Sequence, residues 1–204
     1  KNTYHCTMKR KTTLRVKTKE DVKPPSFGLR ARLSGRVQMD DIHEVSYLVQ
    51  DSDDGKQELY NLVFDEDDSI AINALWIMTH FSLHENKWLY QKQNEMINRL
   101  LSVTNASQKR LLLSLLYRQP LADSPRVDFL DYCLNEMLSR KEAPGITTLC
   151  MKLAYEMCRT IPELLQEFCL ALDVLEPSML PPSIKTTKKN VLRAMKTRKS
   201  LQLY

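Results

Sequence analysis

His80 and His84 stand four residues apart with Glu85 beside them, a spacing that would set two imidazoles on one helix face for a metal ion. The zinc-peptidase order places its glutamate directly after the first histidine, whereas here it follows the second, and Ser82–Asn86 reads as a loop. A helix-end histidine is the better reading. Asp51-Ser-Asp-Asp-Gly55 has the acidity of a calcium loop, but its glycine comes fifth rather than sixth, and the twelfth place holds Leu62 instead of glutamate. It is read as a helix-terminating turn. Cys150 and Cys158 lie two turns apart, with Cys169 on the following helix, yet no C-x-x-C pair accompanies them, which points to core packing. Asp128 and Asp131 near Arg126 are spaced for a solvated helix face more than for acid–base work. Trp76 with His80, and Tyr117 with Arg118, could line a groove, although a Trp in so apolar a helix reads as core. These residues give no catalytic or metal site and imply no cofactor.

The positive feature lies at the end of the chain. At 100° per residue, Lys185, Lys189, Arg193 and Lys196 fall within one 80° sector of a helix, while Ile184, Val191 and Met195 share another. One side can pack on the body while the other presents a cationic ridge. Such a ridge suits phosphates or the acidic surface of a neighbouring molecule, or is simply a solvated terminal helix. No aromatic is interleaved to stack bases, which disfavours single-stranded nucleic acid.

The elements holding these residues follow from composition. The chain has 204 residues but only four glycines, Gly28, Gly35, Gly55 and Gly145, no two closer than seven positions. Phosphate-cradling loops and G-x-S-x-G elbows need clustered glycines, so they are excluded by the usual routes. Residues 1–38 carry eleven Lys/Arg against two acidic residues, net +9; residues 39–183 are −11; residues 184–204 are +7. The body is therefore acidic between two basic ends. Five cysteines, odd in number and widely spaced, fit a reducing compartment, and the expected location is cytoplasmic. No apolar run approaches the roughly 20 residues needed to span a bilayer.

From Met39 onward the periodicity predicts helices near 40–50, 56–64, 69–81, 86–103, 107–118, 125–139, 146–159, 162–175 and 183–199. Prolines or acidic caps mark their starts, as Pro125, Pro144, Pro162 and the Asp65–Ser69 stretch do. Segments 70–81, 109–117 and 146–158 are apolar nearly all round, and each is followed by an amphipathic helix. Trp76, Leu113 and Leu153 mark their centres, 37 and 40 residues apart. That is the period of a two-helix repeat stacked about three times with helical ends. Residues 1–38, basic and poor in large apolar side chains, read as a tail or as upstream sequence outside the native gene product.

The runs Asp67–Phe81, Lys109–Pro120, Arg126–Cys133 and Leu149–Arg159 resemble a small family of uncharacterised bacterial HEAT-like helical proteins, over about 40–198. The resemblance implies a fold and carries no activity. More distantly, the architecture is similar to DNA-alkylation-repair glycosylases built from HEAT-like repeats, though no residue motif matches them. The expectation is an all-α, HEAT-like α-solenoid of antiparallel helix pairs over 39–204. It would act as a non-enzymatic protein-interaction module. The other reading is a nucleic-acid-binding protein using the basic ends.

Overall fold

The computed structural model describes residues 28–121, 125–139 and 141–202. Eleven α-helices occur among them: α1 Leu29–Leu33, α2 Met39–Val49, α3 Asp53–Asn61, α4 Asp68–Thr79, α5 Leu83–Asn86, α6 Gln93–Ser102, α7 Ala106–Tyr117, α8 Val127–Ser139, α9 Pro144–Cys158, α10 Pro162–Val174 and α11 Pro182–Thr197. Short 3-10 turns cover Leu62–Phe64, Lys87–Lys92 and Pro177–Met179, and no strand occurs among the described residues.

Local chemistry sets the helix starts. Asp67 and Asn105 accept hydrogen bonds from first-turn amides, Ser69 N at 2.8 Å and Ser107 N at 2.9 Å. Pro144, Pro162 and Pro182 open α9, α10 and α11, where a missing amide costs nothing. The nearly all-apolar helices α4, α7 and α9 then pack side by side, with the amphipathic α11 against α9. A second layer of α6, α8 and α10 covers them, with α6 on α7, α8 on α9 and α10 on α9. This is why α9 buries ten of its fifteen residues. It has neighbours on both flanks and a layer across its back. The HEAT-like solenoid expected from the repeat period is the architecture found.

Three boundaries differ from those expected. Asp51–Gly55 starts a helix as well as following one: Ser52 Oγ accepts the Gly55 amide at 3.1 Å, and Asp53 and Asp54 sit in the first turn of α3. Residues 86–103 do not form one helix. Ser82 and Glu85 make a reciprocal capping box that starts α5 earlier, and the 3-10 turn after it delivers Leu89 to the core and Trp88 to Tyr60, ring centres 6.0 Å apart.

The third difference is at the N-terminal side. Leu29 and Leu33 are fully buried, and α1 packs on α4. Leu29 N donates to Glu58 Oε1 at 3.0 Å, and Asn73 Nδ2 donates to Leu33 O at 3.1 Å. Arg30 pairs with Asp65 at 2.8 Å and Arg32 with Glu44 at 2.5 Å. Packed sequence thus begins ten residues before Met39, because two leucines four apart suffice for one turn to dock. The expected tail reading for 1–27 lies outside the described residues.

Candidate functional site

α11 is positioned from three directions. Ile184, Val191 and Ala194 are buried, and the helix packs along α9. Lys188 turns inward: its ammonium donates to Leu172 O and Leu175 O, both at 2.7 Å, closing the C-terminal end of α10. Beyond Thr197, Arg198 adopts a left-handed conformation (φ 49°), uncommon for a residue with a Cβ, and reverses the chain. The returning segment crosses α9 and α7. Tyr155 Oη donates to Lys199 O at 2.7 Å, and Gln202 Nε2 donates to Tyr117 O and Gln119 O at 2.7 and 2.9 Å. Buried Glu156 accepts from Ser200 Oγ at 3.0 Å, from Leu201 N, and from Arg159 Nε at 2.9 Å.

The face left over is the one read from the sequence. Lys185, Lys189, Arg193 and Lys196 are all exposed, and none of their side-chain nitrogens is ion-paired or hydrogen-bonded among the described residues. With Lys188 they ring a shallow groove of about 370 Å³. Its floor holds a residue that the charge count overlooked: Leu192, 39% exposed. The wheel carries the signal, because Leu192 lies one turn from both Lys189 and Lys196. An apolar floor ringed by unpaired cations can take an aliphatic side chain flanked by carboxylates. A second groove of about 410 Å³ runs between Asn190, Arg193 and Thr197 and the returning segment.

The remaining candidates are dispersed. His84 is exposed with its ring 3.7 Å from Glu85, while the His80 ring meets His43 at 5.5 Å and Trp76 at 6.4 Å. Burial, followed by the charges of His43 and Arg118, lowers the His80 pKa. Arg118 caps α4 by donating to Thr79 O at 2.7 Å and to Phe81 O, so it does not join Tyr117 in a groove. Tyr117 lies beneath Lys152 Nζ, 5.2 Å from the ring centre, and burial together with Glu156 pushes its phenol up to about 12. Asp128 is held ionised by Arg126 at 3.0 Å. Cys133, Cys150 and Cys158 are buried in the core; Cys133 neighbours Cys150, and burial pushes the Cys158 thiol up to about 12. No cluster of three or more metal-ligating side chains forms among the described residues, nor is any helix long and apolar enough to cross a membrane.

Comparison with curated proteins and with solved structures finds no match. A family model, the HEAT repeat domain, matches residues 29–195. It begins at the first residue of α1 and ends within α11. The chain belongs to the HEAT repeat domain family.

Proposed function

We propose that this protein is a binding module that holds an acidic segment of a protein partner against the outward face of α11. The observation that carries the reading is the four unpaired cations around exposed Leu192. A helical-repeat scaffold supports it, since stacked units present extended surfaces that bind through many modest contacts. Leu192 favours a polypeptide over a phosphate backbone, because counterion release needs only charge, whereas an apolar floor rewards an aliphatic anchor.

A fluorescent helical peptide rich in Glu and Leu, compared with duplex DNA of matched charge, tests the proposal by anisotropy on the full chain. Lys189/Arg193/Lys196→Glu should weaken the peptide by about tenfold or more, and Leu192→Ser by several-fold, with unchanged circular dichroism. Preferred, salt-dependent duplex binding that ignores Leu192→Ser would overturn it in favour of nucleic acid.

A further inference from the structure

The connection between α10 and α11 contains Pro177 and Pro181, which cannot continue α10, and Pro182 then opens α11, so the second layer stops short there. Beneath it lies a cavity of about 240 Å³, more enclosed than the α11 grooves. Its apolar wall comes from Met137 at the end of α8, Leu175, Leu180, and Ile184 at the start of α11. Two polar side chains enter it, Glu142 and Thr147.

Thr147 is the unusual one. It is 2% exposed, and its hydroxyl has no hydrogen-bond partner among the described residues. Three helical threonines turn their hydroxyls back to a carbonyl three residues earlier, Thr148 to Gly145 O at 3.0 Å, Thr79 to Trp76 O at 2.6 Å and Thr197 to Ala194 O at 3.3 Å, whereas Thr147 does not. An unsatisfied buried hydroxyl costs about 1–3 kcal/mol, and such groups are rare in folded proteins. Glu142 is held from the outside by Lys109, whose Nζ meets Oε1 at 2.5 Å; Oε2 accepts from no donor among the described residues. Lys109 also faces Glu136 at 3.9 Å, so one ammonium is shared by two carboxylates and the second oxygen of Glu142 stays unfilled. A water bonded to these two atoms would satisfy them but would leave the rest of the space, whose wall is mostly carbon, without a partner.

We propose that this cavity is a binding site for a small, mainly apolar molecule bearing a hydroxyl or primary amide, whose polar end exchanges hydrogen bonds with Thr147 Oγ1 and Glu142 Oε2. The threonine hydroxyl both donates and accepts, and the carboxylate accepts, so the ligand's end must donate at least one proton. A carboxylate end is disfavoured by Glu142. The site is independent of the α11 surface proposed above, because its residues face the opposite side of that helix.

Titration calorimetry of the full chain with 1-hexanol, hexanamide and hexanoate tests the assignment. Saturable binding of the alcohol and the amide, with hexanoate at least tenfold weaker, is expected. Thr147→Val, which keeps the shape and removes the hydroxyl, should weaken 1-hexanol about tenfold while leaving the unliganded protein as stable or more so. Leu180→Trp, which fills the space, should abolish binding; if that variant does not fold, the valine substitution alone decides. No saturable heat would show a cavity that holds only water and would overturn the proposal. Affinity unchanged by Thr147→Val would overturn it too.

Discussion

Lys188 and Lys189 are neighbours in sequence with opposite uses. Lys189 points to solvent, whereas Lys188 ends on two carbonyls of α10 at 2.7 Å. Lys188→Met keeps the aliphatic stem and loses both charge-assisted bonds, so a loss of about 2–3 kcal/mol in urea unfolding is expected. Lys189→Met should fall within about 0.5 kcal/mol of wild type. His80 gives a pH prediction. Its pKa is lowered in the folded state, so between the folded value and the ordinary 6.5 the unfolded chain binds more protons. The contribution of His80 is present in full above about 6.5 and is lost as pH falls through the folded value. His80→Gln should flatten stability below pH 6.5 in a thermal-melt series, and a slope unchanged by the substitution would refute the assignment. The sequence marks His80 as a helix-end residue, correctly, but its partner His43 lies 37 positions away and no spacing rule points to it.

At the scale of elements, helix starts were the most legible feature, because caps and first-turn prolines act within four residues. The segment after Phe81 was the least legible. Its capping box, Ser82 with Glu85, is visible in sequence, yet the switch to a 3-10 turn depends on where the core receives Leu89 and where Tyr60 receives Trp88. α1 shows a related limit. In a basic, glycine- and proline-marked stretch, Leu29 and Leu33 look too sparse to fold. They dock because α4 already offers a surface, and because Asp65 and Glu44 pair with the flanking arginines. Leu33→Ala should cost about 2–5 kcal/mol, a buried leucine deletion, read by urea unfolding. Similar melting temperatures for chains starting at Gly28 and at Met39 would show that α1 contributes nothing.

For the whole molecule, the layer of α4, α7, α9 and α11 is tied at one edge by the returning C-terminal segment. Stacked repeats derive stability from neighbouring interfaces, and the returning segment adds such an interface over α7 and α9. Glu156, Tyr155, Tyr117 and Gln202 supply it. Truncation after Thr197 should lower the melting temperature by several degrees, with hydrogen exchange accelerating first at the C-terminal ends of α7 and α9. Uniform acceleration across all helices would count against a local tie. The outer face of α11 is polar apart from exposed Leu192 and is the surface proposed for the partner.

What the sequence determined by itself was periodic and local: an all-α body from residue 39, a repeat of 37 to 40 residues, an acidic body between basic ends, and four cations on one side of the last helix. These follow from the 100° advance per residue and from caps acting within one turn. Only the tertiary structure decided which basic side chains are used internally and which stay free. It also showed that Leu192 lies open among the free ones, and that Thr147 faces a cavity without a hydrogen-bond partner among the described residues. Those outcomes depend on side chains brought together across tens of residues. Burial and hydrogen-bond satisfaction there are set by what packs opposite, which no single helix encodes.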